Sequence, residues 1–283
     1  MRKILVPTDF SEVSLHALDF ARQLAKRDSC EILLLNIIEH PSAATFKTMG
    51  ITDYDPMESI YIKKMIEIAT ERMEDLRNSD DFKGIDIKTR VVVGNPFVEI
   101  TEDIVKTETD LVIMGSEGVD GVDEMFVGSN AEKVIRTAEC PVIIIKSPTN
   151  VEDIKNIVFA SNFESPGEGI VAHIKQVQSI FNAKLSLVII NTPNNFTSTR
   201  HDFEIMEEFA KSRGLDNYTL DVYNDFQEED GILSYAEDIQ ADMIAIGTHG
   251  RTGIIHFLSG GSIAEDVANE SKRPVWTFSL KEI

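Results

Sequence analysis

LVIMGSEGVDGVDEMFVGSNAEKVIRTAECPVIIIK, residues 111–146, sets a glycine-rich loop and a helical pattern between two apolar runs. Its first four residues form a short, continuous apolar run, the pattern of a parallel strand buried on both faces. Gly115 and Gly118 then permit a tight turn and close backbone approach, and Gly128-Ser129 stands where a helix begins. A helix start offers unpaired backbone N–H groups and the positive end of the helix dipole, so an anionic oxygen is stabilised there. A second apolar run at 142–145 closes the unit as strand, glycine loop, helix, strand. The glycines by themselves are equally explained as the closure of a strand-to-helix connection.

The same unit recurs in the second half of the chain. KILVPTDF from Lys3 aligns with NIVFASNF from Asn156 at an offset of 153, and DLVIMGSEG from Asp110 aligns with DMIAIGTHG from Asp242 at an offset of 132. CPVIII from Cys140 matches RPVWTF from Arg273 at an offset of 133. The chain therefore reads as a tandem duplication, with domains at 1–147 and 154–283. Each half alternates five apolar runs with four helical patterns, the signature of an α/β fold with a parallel sheet. In the first half the strands are expected at 3–7, 31–38, 85–93, 110–115 and 141–146, and helices start at Ser11, Pro56, Pro96 and Ser129. Leu15, Leu18, Ala21, Leu24 and Ala25 form the stripe expected to face the sheet. The stretch at 41–54 has weak periodicity and reads either as a flap beside the site or as a longer connection.

The spacing Gly115-x2-Gly118-x9-Gly128-Ser129 matches the signature of the ATP-binding universal stress proteins, and the opening KILVPTDFSEVSLHALDFARQLA and closing NAEKVIRTAECPVIIIK resemble the same family. The resemblance implies two doubly wound five-stranded parallel-sheet domains of the adenine nucleotide alpha hydrolase-like type. It further implies strand order 3-2-1-4-5 and a pseudo-twofold arrangement about the last strands, whose apolar edges need cover. It also implies a stress-response protein that binds adenine nucleotide, ATP with Mg²⁺ or Mn²⁺, as a regulatory ligand. The alternatives are a nucleotide-free scaffold with degenerate pockets and, in third place, a slow ATPase; no general base or GKS/T loop is evident, so no enzyme is expected.

Ligands in open α/β sheets lie beyond the carboxyl ends of the strands. The set carried over in the first half is Pro7, Thr8, Asp9, Ile37, Val93, Gly94, Met114, Gly115, Gly118, Gly128, Ser129 and Asn130. In the family, Asp9 would hold the ribose or adenine side, the strand-two apolar residue would pack on the base, and the glycines with Ser129 would hold phosphates. Asp9 also reads as a cap of the following helix. The first-half loop carries Glu117, Asp120, Asp123 and Glu124 and no basic residue, where a like charge at about 4 Å costs from about 1 to 4 kcal/mol. In the second half the carried-over set is Ser161, Asn162, Gly247, His249, Gly250, Arg251, Gly261 and Ser262. There the loop is basic, yet Asn162 stands in place of Asp9. His249 and His256 lie without nearby cysteines, so no zinc site is expected.

Composition bounds the rest. A length of 283 residues with 42% apolar content allows two globular domains, and the net charge of −21 disfavours nucleic acid and anionic membranes as partners. No apolar run approaches the roughly 18 residues of a membrane helix, and the start MRKILVPTDF lacks a signal-peptide pattern, so a cytoplasmic protein is expected. Cys30 and Cys140 read as reduced structural thiols. A homo-oligomer is expected; no feature identifies a protein partner. Trp276, in the last strand, reads as a core or interface residue.

Overall fold

The computed structural model describes residues 2–39, 56–116, 128–163, 168–248 and 263–279. The first half runs β1 (Lys3–Thr8), α1 (Glu12–Asp28), β2 (Glu31–Glu39), α2 (Pro56–Asn78), β3 (Ile87–Gly94), α3 (Pro96–Thr107), β4 (Leu111–Gly115), α4 (Ser129–Thr137) and β5 (Val142–Ile145). A 3-10 turn at Val151–Asp153 leads into β6 (Asn156–Ala160), α5 (Glu168–Phe181), β7 (Lys184–Asn191), α6 (Thr199–Ser212), β8 (Tyr218–Asn224), α7 (Glu228–Asp238), β9 (Met243–Thr248), α8 (Ile263–Glu270) and β10 (Val275–Ser279).

All ten of these strands lie in one sheet, ordered β3-β2-β1-β4-β5-β10-β9-β6-β7-β8. Read inward from either edge, each half has the expected order 3-2-1-4-5 with parallel pairing, and the halves meet where β5 pairs antiparallel with β10. The expected pseudo-twofold about the last strands takes the form of one continuous sheet, with β5 and β10 at its middle. The reason is the chemistry of the last strands: Val142, Ile143, Ile144, Ile145, Val275 and Trp276 are each at most 1% exposed. Runs so apolar on both faces cannot stand as open edges, and each strand pairs the backbone groups of the other.

Side chains alternate across the sheet, so Ile4 and Val6 face one layer and Leu5 the other. The first layer holds α1, α2, α5 and α6; the second holds α3, α4, α7 and α8. Both layers run through both halves. On α1 the buried face is Ser14, Ala17, Leu18, Phe20, Ala21, Leu24 and Ala25. Leu15, expected on that face, stands off it, 36% exposed, because the buried face centres about 130° away around the helix.

The internal repeat extends to individual hydrogen bonds. The Asp110 carboxylate accepts the N–H groups of Arg2 and Lys3, at 2.6 and 2.9 Å, and the Asp242 carboxylate accepts those of Lys155 and Asn156, at 2.9 and 2.8 Å. Both cysteines are buried, and burial raises both thiols, that of Cys140 to about 12. Trp276 is fully buried at the junction, edge-on to Phe181 with ring centroids 6.4 Å apart. No helix among the described residues is long and apolar enough to cross a membrane.

Candidate functional site

The parallel register brings the carboxyl ends of all five first-half strands to one edge: Thr8 beside Asn36, Glu39 beside Gly94, and Gly115 beside Ile145. Pro7 and Thr8 end β1, Ile37 lies in β2, Val93 and Gly94 end β3, and Met114 and Gly115 end β4. Helices leave β1 and β4 toward opposite faces of the sheet, so the space between those strands is the topological switch point. The described first-half candidates therefore share one edge. Gly118 lies outside the described residues.

The turn after β1 is built by side chains. Thr8 Oγ1 accepts the N–H of Phe10 at 3.1 Å and lies 3.0 Å from Ser14 Oγ, while one Asp9 carboxylate oxygen accepts the N–H of Ser11 at 2.9 Å. Ser11, not Asp9, is the helix cap: its side chain accepts the Ser14 N–H at 3.3 Å. Phe10 takes the left-handed conformation at φ 65°, with the Arg72 guanidinium 5.4 Å from its ring centroid. The second half repeats this turn. Ser161 Oγ accepts the N–H of Phe163 at 3.3 Å, and Phe163 has φ 55°. Asn162 is exposed where Asp9 is half-buried.

The glycine loop is pinned at both ends. The Ser116 N–H donates to the Ile145 carbonyl at 3.3 Å, and the Gly128 N–H donates to the Ser116 carbonyl. Helix α4 then starts at Ser129 with Gly128 as its cap position and no side-chain cap, and Asn130 follows in the first turn. By contrast α3, like α1, is closed by a side chain, Asn95 accepting the Val98 N–H at 3.2 Å. Gly115 has a structural reason: a Cβ there would lie 3.1 Å from the Ser14 backbone nitrogen and 3.0 Å from Val13 Cγ1, in the first turn of α1. Gly94 leaves room for Glu99, whose Oε1 would be 2.5 Å from an added Cβ.

In the second half, Ser161 and Asn162 follow β6 and Gly247 lies in β9. His249, Gly250, Arg251, Gly261 and Ser262 lie outside the described residues, as do His256 and the first-half loop acids Glu117, Asp120, Asp123 and Glu124. The connection after β7 is closed by its own buried polar residues. Asn191 Nδ2 donates to an Asp202 carboxylate oxygen at 3.3 Å, and Thr197 Oγ1 donates to the other at 2.5 Å. Three first-half residues escaped the sequence reading. Asn36 was visible as the one polar residue in the run LLLNII; Glu99 folds back on Gly94 within its own connection, and Ser116 leaves no local signal, since its partner Ile145 lies on the neighbouring strand.

Comparison with known proteins agrees with this architecture. The model of the universal stress protein family matches the chain twice, over residues 1–146 and 154–279. Universal stress protein MJ0531 of Methanocaldococcus jannaschii is 30% identical over 147 residues, covering 52% of this chain and 83% of that protein. Universal stress protein YxiE of Bacillus subtilis is 32% identical over 147 residues, covering 51% of this chain and 98% of its own length. The crystal structure of a universal stress protein from Archaeoglobus fulgidus aligns over 99% of this chain and 98% of its own, with a TM-score of 0.74 at 23% identity. With two copies of the family fold joined in one sheet, the chain belongs to the universal stress protein family.

Proposed function

We propose that this chain is a stress-response protein that holds an adenine nucleotide, ATP foremost, in its first half as a regulatory ligand. The observation that carries the reading is the start of α4: its first turn has no side-chain cap and follows the glycine signature at the edge where β1, β2 and β4 end. Backbone N–H groups of Ser129 and Asn130 would meet phosphate oxygens, which the helix dipole stabilises. Ile37 would pack on the base and Asp9, already fixed by its turn, would meet the ribose. Mg²⁺ or Mn²⁺ carried with the phosphates would offset the acidic loop.

A second reading, the nucleotide-free scaffold, is favoured by two observations. Packing against α1 already accounts for Gly115, and the local turn accounts for one oxygen of Asp9. Ser129→Asp separates the two. A carboxylate suits a helix start but repels phosphate. In titration calorimetry with ATP and Mg²⁺, binding at least tenfold weaker than wild type with an undiminished Tm supports the nucleotide reading; absence of binding by the wild-type chain supports the scaffold. Release of inorganic phosphate over many turnovers would instead mark an enzyme.

A further inference from the structure

Resting on the nucleotide reading, we infer that Asn36 is a specificity residue of the first-half site, its carboxamide oxygen accepting a hydrogen bond from the nucleoside part of the ligand. Asn36 is 6% exposed and lies directly beside Thr8 in the β1–β2 register, its side chain on the α1 layer of the sheet and that of the following Ile37 on the opposite layer. Its Nδ2 donates to the Thr8 carbonyl at 2.8 Å, which fixes the orientation of the amide, because an oxygen turned that way would meet another oxygen. The carboxamide oxygen is buried with no hydrogen-bond partner among the described residues.

An acceptor left in that state is destabilising, because its hydrogen bond to water is lost and none replaces it. The fold itself does not require it. At the offset of 153 the counterpart is Ile189, 7% exposed, an apolar side chain that packs the same place in the second half without that cost. The polar residue thus occurs in the half that keeps Asp9 and is absent from the half that has Asn162.

Ligand chemistry narrows the donor. Ionised phosphate oxygens accept hydrogen bonds, so the group that meets Asn36 is an N–H or O–H of the base or sugar. Strand order agrees: β2 and β4 flank β1, so Asn36 stands about 10 Å across the sheet from the strand that feeds α4. A ligand with its anionic end on α4 lays its other end toward β2.

The test compares wild type with Asn36→Leu, near in shape and without the acceptor, against ATP, ITP (which lacks the exocyclic amine) and 2′- or 3′-deoxy-ATP. Wild type is expected to bind at least one analogue at least tenfold more weakly than ATP, and Asn36→Leu is expected to lose ATP affinity and that discrimination while keeping its Tm. Loss against ITP assigns the base; loss against a deoxy analogue assigns the sugar. Wild type binding all the triphosphates alike, or Asn36→Leu keeping the wild-type affinity and ranking, overturns the inference and leaves the oxygen to a buried water. Wild type binding none removes the nucleotide reading itself.

Discussion

Single residues show where the duplicated halves have diverged in chemistry while keeping shape. Phe20 is fully buried on α1; its counterpart at the offset of 153 is His173 on α5, stacked on Phe278 with ring centroids 5.1 Å apart. Burial pushes the His173 imidazole below its ordinary value of 6.5. The unfolded chain therefore takes up a proton near pH 6.5 that the folded ring resists, so this contribution to stability is complete above pH 6.5 and is lost as pH falls below it. His173→Phe, which copies Phe20, is expected to flatten that part of the acid dependence. The Tm difference between variant and wild type, measured from pH 8 to pH 5, should grow in the variant's favour toward acid; a constant difference would show that the ring does not titrate between the two states.

Among elements, the decisive contacts are those that let a helix approach a strand. The first turn of α1 lies against Gly115 so closely that a methyl group there would press on backbone atoms of Val13 and Ser14. Gly115→Ala is expected to destabilise the chain by about 1–3 kcal/mol in urea unfolding, the usual range for overpacking. Gly94→Ala should cost less, because its close neighbour is the movable end of Glu99. Equal costs would mean that α1 can shift freely. The second half varies the same connection. From the register, the link between β8 and α7 is one residue longer than that between β3 and α3 and carries Phe226, 83% exposed. Sequence shows the glycines, but their neighbours come from other elements, so a turn, a ligand and a packing role look alike in the linear chain.

At the scale of the whole molecule, the two halves are fastened at several places besides the sheet. Arg136 of α4 grips Glu265 of α8 through two hydrogen bonds, at 2.8 and 2.6 Å, and the pseudo-symmetric pair is Asn269 with Glu132 at 3.4 Å. Phe20 of the first half meets Phe181 of the second with centroids 6.2 Å apart, and Gln23 holds the connecting turn by accepting the Val151 N–H at 2.9 Å. The Glu265 side chain is 7% exposed, so Arg136→Ala leaves a buried carboxylate unpaired. That change is expected to cost about 1–3 kcal/mol. The double variant with Glu265→Ala should cost less than the sum of the single changes. Additive losses in chemical denaturation would show that the pair does not couple α4 to α8.

The duplication, the alternation of strands and helices, the family and the helix start at Ser129 are legible in the linear chain, because periodicity and spacing are local properties. The sequence also marked the edge at which the first-half candidates meet, since parallel strands carry their carboxyl ends to one side. The packed fold adds that the last strands meet as an antiparallel β5–β10 pair within one sheet and that Gly115 answers to α1. The same is true of Arg136 finding a carboxylate 129 residues away and of the buried Asn36 oxygen lacking a partner among the described residues. Each of these depends on which distant groups share a space, and hydrophobic burial settles that for the whole chain at once.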